Sequence, residues 1–334
     1  MKKERLVWAD ALKGWLIILV IIGHSIQTVL GADCNNSHAW NLIYSFHMPA
    51  FMAISGYFAS NNKEGSWKKM VSNIFRRFQQ LLVPYFIWSI ILFIKDYSHT
   101  LSSFTQIITN PDKYFWFLWV LFFIAVIHSI IQWLSALLHY SYVTLALIIA
   151  FLLTIILVVI EFRLFGFQFI AYYFMFYFFG YCIRHYPRVQ IDNSILLLLM
   201  AICWAVLAWF WKMHELPSWV PAIPHVPMPL VQYAYRGLTA VIAVIVLLSV
   251  SPQIMNSKKT FNSLLAEVGS LSLGLYVIHL TIIGDIVSRV RQMLPTAQTY
   301  IIECIVFVVT TVISYCVVKI LKRYAITQKL LLGK

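Results

Sequence analysis

The sequence predicts an all-α fold, a polytopic integral membrane bundle of about ten transmembrane helices with both termini cytoplasmic. Three observations lead there. Of 334 residues, 61% are hydrophobic and only 11% charged, a balance that no single water-facing core can absorb. Apolar runs near the roughly 20 residues needed to cross a hydrocarbon layer recur along the whole chain. Lysine and arginine then favour alternate connecting segments, as a membrane-threaded chain requires. A 16% aromatic content, with 12 Trp and 18 Tyr, suits many helix ends lying at bilayer interfaces.

In order, the apolar runs cover residues 6–30, 39–59, 78–94, 114–138, 143–160, 167–183, 194–211, 231–250, 268–287 and 299–321. The first follows a basic N-terminus, as in a signal peptide. It is not followed by a small-residue cleavage site and it contains Asp10, Lys13 and His24, so it reads as a retained helix. With that terminus inside, only Lys95, Lys113, Arg163, Lys212, Arg236, Arg289 and Arg291 of the 25 basic residues fall in outer segments. The net charge of +13 is therefore a topology signal, and its scatter among short loops excludes a nucleic-acid surface. Cys34, Cys182, Cys203, Cys304 and Cys316 show no CxxC spacing, so no metal site and no disulfide framework is expected. No internal repeat and no soluble appendage stands out, which predicts a single domain over 1–334. The longest outer segment, 212–235, interleaves Pro217, Pro221, Pro224, Pro227 and Pro229 with Trp219, His214 and His225, and reads as a lid or shallow re-entrant loop.

Ionisable groups inside a spanning helix cost several kcal/mol unless they face a cavity or a partner, which makes each a functional candidate. In helix one, Asp10, Lys13 and His24 fall within roughly 60° of one another around the axis, a polar stripe on an apolar helix. Eleven residues separate Lys13 from His24 by about 16 Å, so the two would serve different parts of a long ligand. An acyl-CoA fits that demand, with its phosphates at a cation near the inner face and its thioester deeper, beside a histidine able to act as base. A local i, i+3 pair between Asp10 and Lys13 is the plainer alternative, and it leaves His24 unexplained. The second run holds Ser45, His47 and Pro49, then Ser55, Gly56 and Tyr57; His47 enters at about the depth of His24, so the two could share a site, and Pro49 admits a kink. Four cations, Lys68, Lys69, Arg76 and Arg77, precede the third run as anchors, with Arg77 a candidate for a donor phosphate. Tyr276 and His279 share a face of the ninth helix.

The opening WADALKGWLIILVIIGHS, the run FHMPAFMAISGYF, FRRFQQLLVPYF, WFLWVLF and GSLSLGLYVIHL, in that order, resemble the acyltransferase 3 family of membrane O-acyltransferases. Within it the chain looks most like the fucose 4-O-acetylases and the enterobacterial common antigen acetyltransferase, over essentially its whole length. The resemblance implies a basic residue on helix one followed eleven positions later by an essential histidine, positions held here by Lys13 and His24. Its paired-arginine motif falls on Arg77 and Gln80, ahead of Pro84. Lys13 and Gln80 stand where the family has arginine, and a lysine lacks the bidentate fork.

The resemblance also implies a cytoplasmic acyl-CoA donor, most often acetyl-CoA, and a saccharide or lipid-linked glycan acceptor outside. The expected catalytic set is His24 as general base with Asp10, His47 and Ser55. The expected donor set is Lys13, Arg76, Arg77 and Tyr57, and the acceptor-side candidates are Trp116, Tyr276 and His279. No permanently bound cofactor is expected, acetyl-CoA being a co-substrate; membrane lipid is a partner, nucleic acid is not, and a homo-oligomer is left open. Covalent transfer through Ser55 or His24 stays open beside direct transfer. The rival class is a proton-coupled transporter or a flippase of a lipid-linked saccharide, in which Asp10, Lys13 and His24 would form a relay. Thioester consumption separates the two classes.

Overall fold

A computed structural model describes residues 6–62, 64–95, 101–186, 191, 193–213, 215–221, 226–256 and 260–334, the last-named segments joined through positions not described. Several inner-side cations of the charge argument (Lys2, Lys3, Arg5, Lys63, Arg188, Lys258 and Lys259) lie outside these residues, as do His214, Pro224 and His225 of the outer segment. Among the described residues the secondary structure is entirely helical. The α-helices are α1 (Val7–Leu30), α2 (His38–Tyr44), α3 (His47–Tyr57), α4 (Trp67–Arg77), α5 (Val83–Lys95), α6 (Leu101–Thr109), α7 (Trp116–Leu138) and α8 (Tyr142–Val158). They continue with α9 (Phe167–His185), α10 (Ser194–Trp209), α11 (Met228–Met255), α12 (Thr260–Ser270), α13 (Ser272–Met293), α14 (Thr299–Leu321) and α15 (Ala325–Leu331).

Among the described residues, seven helical stretches are long and apolar enough to cross a membrane: Val7–Asn36, Trp67–Lys95, Trp116–Leu138, Leu164–His185, Met228–Met255, Ser272–Met293 and Thr299–Leu321. Two more of the expected runs form shorter apolar helices, Tyr142–Val158 and Ser194–Trp209. The remaining run, 39–59, is not one helix. It breaks at Ser45 and Phe46 between α2 and α3. Pro49 cannot donate to the carbonyl of Ser45, and its ring crowds that carbonyl, so the chain restarts its helix at His47.

Three other boundaries differ from expectation. The third run begins earlier, so Lys68, Lys69, Arg76 and Arg77 ride on α4 rather than preceding a helix. A π-turn, Phe78–Leu82, joins α4 to α5, with the Val83 N–H bonded to the carbonyl of Phe78. Pro84 removes the bond to Gln80 there, and the wider turn absorbs the defect. The ninth run is divided at Leu271 into α12 and α13, where the Ser270 hydroxyl donates to the Glu267 carbonyl at 2.7 Å and competes with the helical ladder. Helix α11 starts at Met228, inside the segment expected to be a loop, because Pro229 sits in the first turn, where a missing N–H costs nothing.

Contacts group the residues into two compact units. The first comprises residues 1–54 and 186–320, hence α1, α2, the start of α3, and α10 to α14. Its tightest crossing is α1 on α12. A Cβ on Gly14 would strike the backbone of Leu265, and one on Gly269 the backbone of Asp10, so both positions need glycine for the helices to meet. Val29, Ile283, Ile286, Val287, Ile302 and Val306 knit the last turns of α1 to α13 and α14, while Ile26, Cys34, Trp40, Trp211 and Tyr235 pack around the same end of α1. The second unit comprises residues 55–185 and 321–334. In it α15 returns against α5, where the Trp88 indole donates to the Leu331 carbonyl at 3.0 Å.

Candidate active site

Helix α1 is unbroken from Val7 to Leu30, so the stripe of Asp10, Lys13 and His24 keeps its register. Asp10 and Lys13 form the i, i+3 pair that was the plainer alternative, at 3.8 Å and both half-buried. His24 lies about 16 Å farther along and joins a different cluster. Its ring centroid is 5.3 Å from that of His279 on α13 and 6.3 Å from that of Tyr44 on α2. Tyr44 in turn meets His47, the first residue of α3, at 4.7 Å. Gly23 allows this gathering, since a Cβ there would collide with the Tyr44 ring. The Tyr44 hydroxyl donates to Gln27 Oε1 at 2.6 Å, which fixes the ring between the two histidines it touches.

Hydrogen bonds define which imidazole nitrogens carry protons. His47 Nδ1 lies 2.7 Å from the Ile43 carbonyl and His279 Nδ1 lies 2.8 Å from the Leu275 carbonyl. A carbonyl only accepts, so both Nδ1 atoms are the donors and each neutral ring keeps its lone pair on Nε2. His279 Nε2 is buried and has no hydrogen-bond partner among the described residues. The ring of His24 makes no hydrogen bond to any described residue, and it is half-buried where His47 and His279 are buried. His24 and His47 thus flank one tyrosine and His279 packs on His24, which gathers three imidazoles with lone pairs not engaged by described residues.

The family model described as Acyltransferase domain matches residues 6–319, a span that includes every residue of this cluster. The chain belongs to the acyltransferase 3 family. Among curated relatives, Nodulation protein NolL of Sinorhizobium fredii (strain NBRC 101917 / NGR234) is 29% identical over 207 residues, 59% of this chain and 54% of that protein. Nodulation protein NolL of Mesorhizobium japonicum (strain LMG 29417 / CECT 9101 / MAFF 303099) is 36% identical over 125 residues, 34% of this chain and 32% of that protein. The matches thus span about half of the first relative and about a third of the second. No solved structure matches.

In this acyltransferase 3 chain the remaining candidates divide by unit. Asp10 and Lys13 belong to the first unit but stand well away from the imidazole cluster, so Asp10 is not placed beside His24. Tyr276 lies one turn before His279, their rings 5.9 Å apart. Ser55, Tyr57, Arg76, Arg77 and Trp116 belong to the second unit. Arg76 is exposed and donates to Asn73 at 3.3 Å. Arg77, half-buried, reaches Gln80 Oε1 only at 3.5 Å, which leaves most of its donors uncommitted. Trp116 stacks on Phe169 at 4.8 Å and on Tyr173 at 5.3 Å.

Three polar features escaped the sequence reading. His128, inside α7 and 1% exposed, is held at both nitrogens, by the Tyr142 hydroxyl at 2.7 Å and the Ser60 carbonyl at 3.1 Å. The same rule that flags His24 applies to its position in an apolar run. Arg184 places its guanidinium over the rings of Tyr57 and Phe58, at 5.1 and 5.2 Å, and donates to the Tyr57 carbonyl at 3.2 Å. Sequence counting had treated it only as an inner-side cation. Glu267, at the α12 end near α1, takes hydrogen bonds from Lys319 and from Tyr315; a lone acid beside a helix break carries no sequence signal of that pairing.

Proposed function

We propose that this protein is a membrane O-acyltransferase that moves an acetyl group from cytoplasmic acetyl-CoA to a hydroxyl of a cell-surface or lipid-linked saccharide, with His24 as general base. In the same reading residues 1–334 work as one domain in the cell membrane, the termini are cytoplasmic, and the ten apolar runs each serve as a pass. The single observation that supports it best is the imidazole cluster of His24, His47 and His279, in which His24 stands on the same helix stripe as Lys13. Membership in the acyltransferase 3 family across residues 6–319 supports the reaction class.

In the proposed step the acceptor hydroxyl oxygen attacks the thioester carbonyl carbon while His24 takes the hydroxyl proton. The C–S bond breaks, the ester remains on the saccharide, and the imidazolium proton goes to the departing CoA sulfur, which restores the neutral base. His279, packed against His24, is suited to hold its ring. Lys13, Arg76, Arg77 and Tyr57 are proposed for the phosphates and adenine of the donor, the cations because a fixed positive charge matches phosphate. Purified protein given acetyl-CoA should release CoA slowly, and faster when an acceptor is supplied. Full CoA release by His24→Ala protein, inserted and monodisperse, would overturn the base assignment, and the absence of any release by the native protein would favour the transporter class.

A further inference from the structure

In the first unit, between the start of α2 and the end of α10 with the segment that follows it, the structure contains a cavity of about 570 Å³. That size is within the range of small-molecule sites. Its lining is a mixture that core packing does not explain. Trp209 is 64% exposed although His38 stacks on it at 4.9 Å, so much of its ring stands open. Lys212 and Glu215 pair at 2.8 Å on the rim, both with charged groups within reach of water. Asn41 is 4% exposed; its amide N–H donates to the Asn35 carbonyl at 2.8 Å, yet its Oδ1 has no partner among the described residues. The Trp211 indole N–H, also buried, has none either. Buried polar atoms are nearly always satisfied, so an acceptor and a donor left unsatisfied on two residues of one cavity lining mark a place where a polar ligand, met by a small turn of either side chain, completes the bonding.

The geometry points to this cavity as the docking subsite for the saccharide acceptor, with Trp209 as stacking platform and Asn41, Trp211 and Glu215 as hydroxyl partners. Sugars carry both requirements at once, an apolar ring face that lies on an aromatic plane and a fringe of hydroxyls that donate and accept. The position supports it as well. Trp40, adjacent to Asn41, stacks on Tyr44 at 3.9 Å, and Tyr44 is the ring that meets His24 and His47. Helix α2 thus lends Asn41 to the cavity lining and Tyr44 to the imidazole cluster, which puts the two on one short helix. The inference rests on the acyltransferase reading for the ligand's purpose, though the binding itself does not.

The test uses the full chain in phospholipid nanodiscs, so that no sugar-headed detergent competes, with N-acetylglucosamine and glucose tetrasaccharides as probes and no acyl-CoA present. Titration followed by tryptophan emission and by calorimetry should show saturable binding of at least one probe. Trp209→Ala should weaken that binding by about tenfold, Asn41→Ala by a similar factor, and Trp209→Phe should restore it to within about threefold. Because Trp209 is largely exposed, its replacement leaves the core intact, and the melting temperature checks this. His24→Ala should bind the probe as the native protein does while failing to transfer acetyl. Saccharide binding that depends on Trp209 in a protein that never consumes a thioester would keep the subsite and remove the enzyme. Failure of both probes to bind the native protein, or binding indifferent to Trp209→Ala and Asn41→Ala, overturns the subsite.

Discussion

Two buried histidine environments, one in each unit, have opposite hydrogen-bond economies. His128 has every ring nitrogen engaged, by Tyr142 and Ser60, and sits among the rings of Tyr142, Tyr177 and Tyr181. Gln132, bonded to Tyr181 and to the Asn62 amide, extends that network. In the other unit His47 and His279 spend only Nδ1, on carbonyls of their own chain segment, and His24 spends neither nitrogen on a described residue. A saturated imidazole ties elements together, since losing it strands its partners. An unsaturated one keeps a lone pair that can take a proton from a substrate. Burial alone does not separate these roles; the bonding does.

The cations repeat the contrast. Arg184 is committed to the Tyr57 carbonyl and two aromatic faces, whereas the hydrogen bond of Arg77 to Gln80 is at the limit of length. By the same reasoning we propose that Arg184 holds structure and that Arg77 meets the donor.

The sharpest way to break the comparison is to change both histidines alike. His24→Gln should lower acetyl transfer by about a thousandfold, the scale of a lost general base, with the melting temperature in nanodiscs unchanged. Equal losses from His24→Gln and from His128→Gln in transfer per folded molecule would erase the distinction. His279→Ala should cost about a hundredfold in kcat with little change in the acyl-CoA KM, because a positioning ring is removed and donor contacts are not; unchanged transfer would move His279 to the structural class. Arg77→Ala should raise the acyl-CoA KM about tenfold while kcat holds within about threefold, whereas Arg184→Ala should lower the melting temperature and leave the acyl-CoA KM of the folded protein unchanged. His128→Ala should destabilise the protein by about 2 kcal/mol, read as a melting temperature lower by a few degrees, with transfer per folded molecule within about threefold of the native rate. Tyr44→Phe, which removes only the bond to Gln27, should have the smallest effect, a severalfold loss of transfer that grows if the ring between His24 and His47 loosens.

Much of this was legible from residue order. The stripe on α1 follows from helical periodicity once the run is recognised as unbroken, and Pro49 in SFHMPAF announces the interruption that starts α3 at His47. The pairing of Asp10 with Lys13 follows from an i, i+3 spacing, the alternative to their roles in a catalytic and a donor set. The break at Leu271 and the π-turn at Phe78–Leu82 were not, because both depend on how a hydroxyl or a missing N–H is accommodated by neighbouring turns. Nor could the sequence tell His24 from His128, since each is a histidine in an apolar run.

By itself the sequence determined the helical class, the positions of the apolar runs, and the spacing that sets Lys13 and His24 on one face about 16 Å apart, because these rest on local periodicity and a fixed rise per residue. Only the tertiary structure decided that His279 from α13 lies against His24, that His128 is saturated, and that Asn41 and Trp211 face a cavity beside an open Trp209. Those facts depend on which helices pack together, and the partners that satisfy or spare a buried polar atom come from distant parts of the chain.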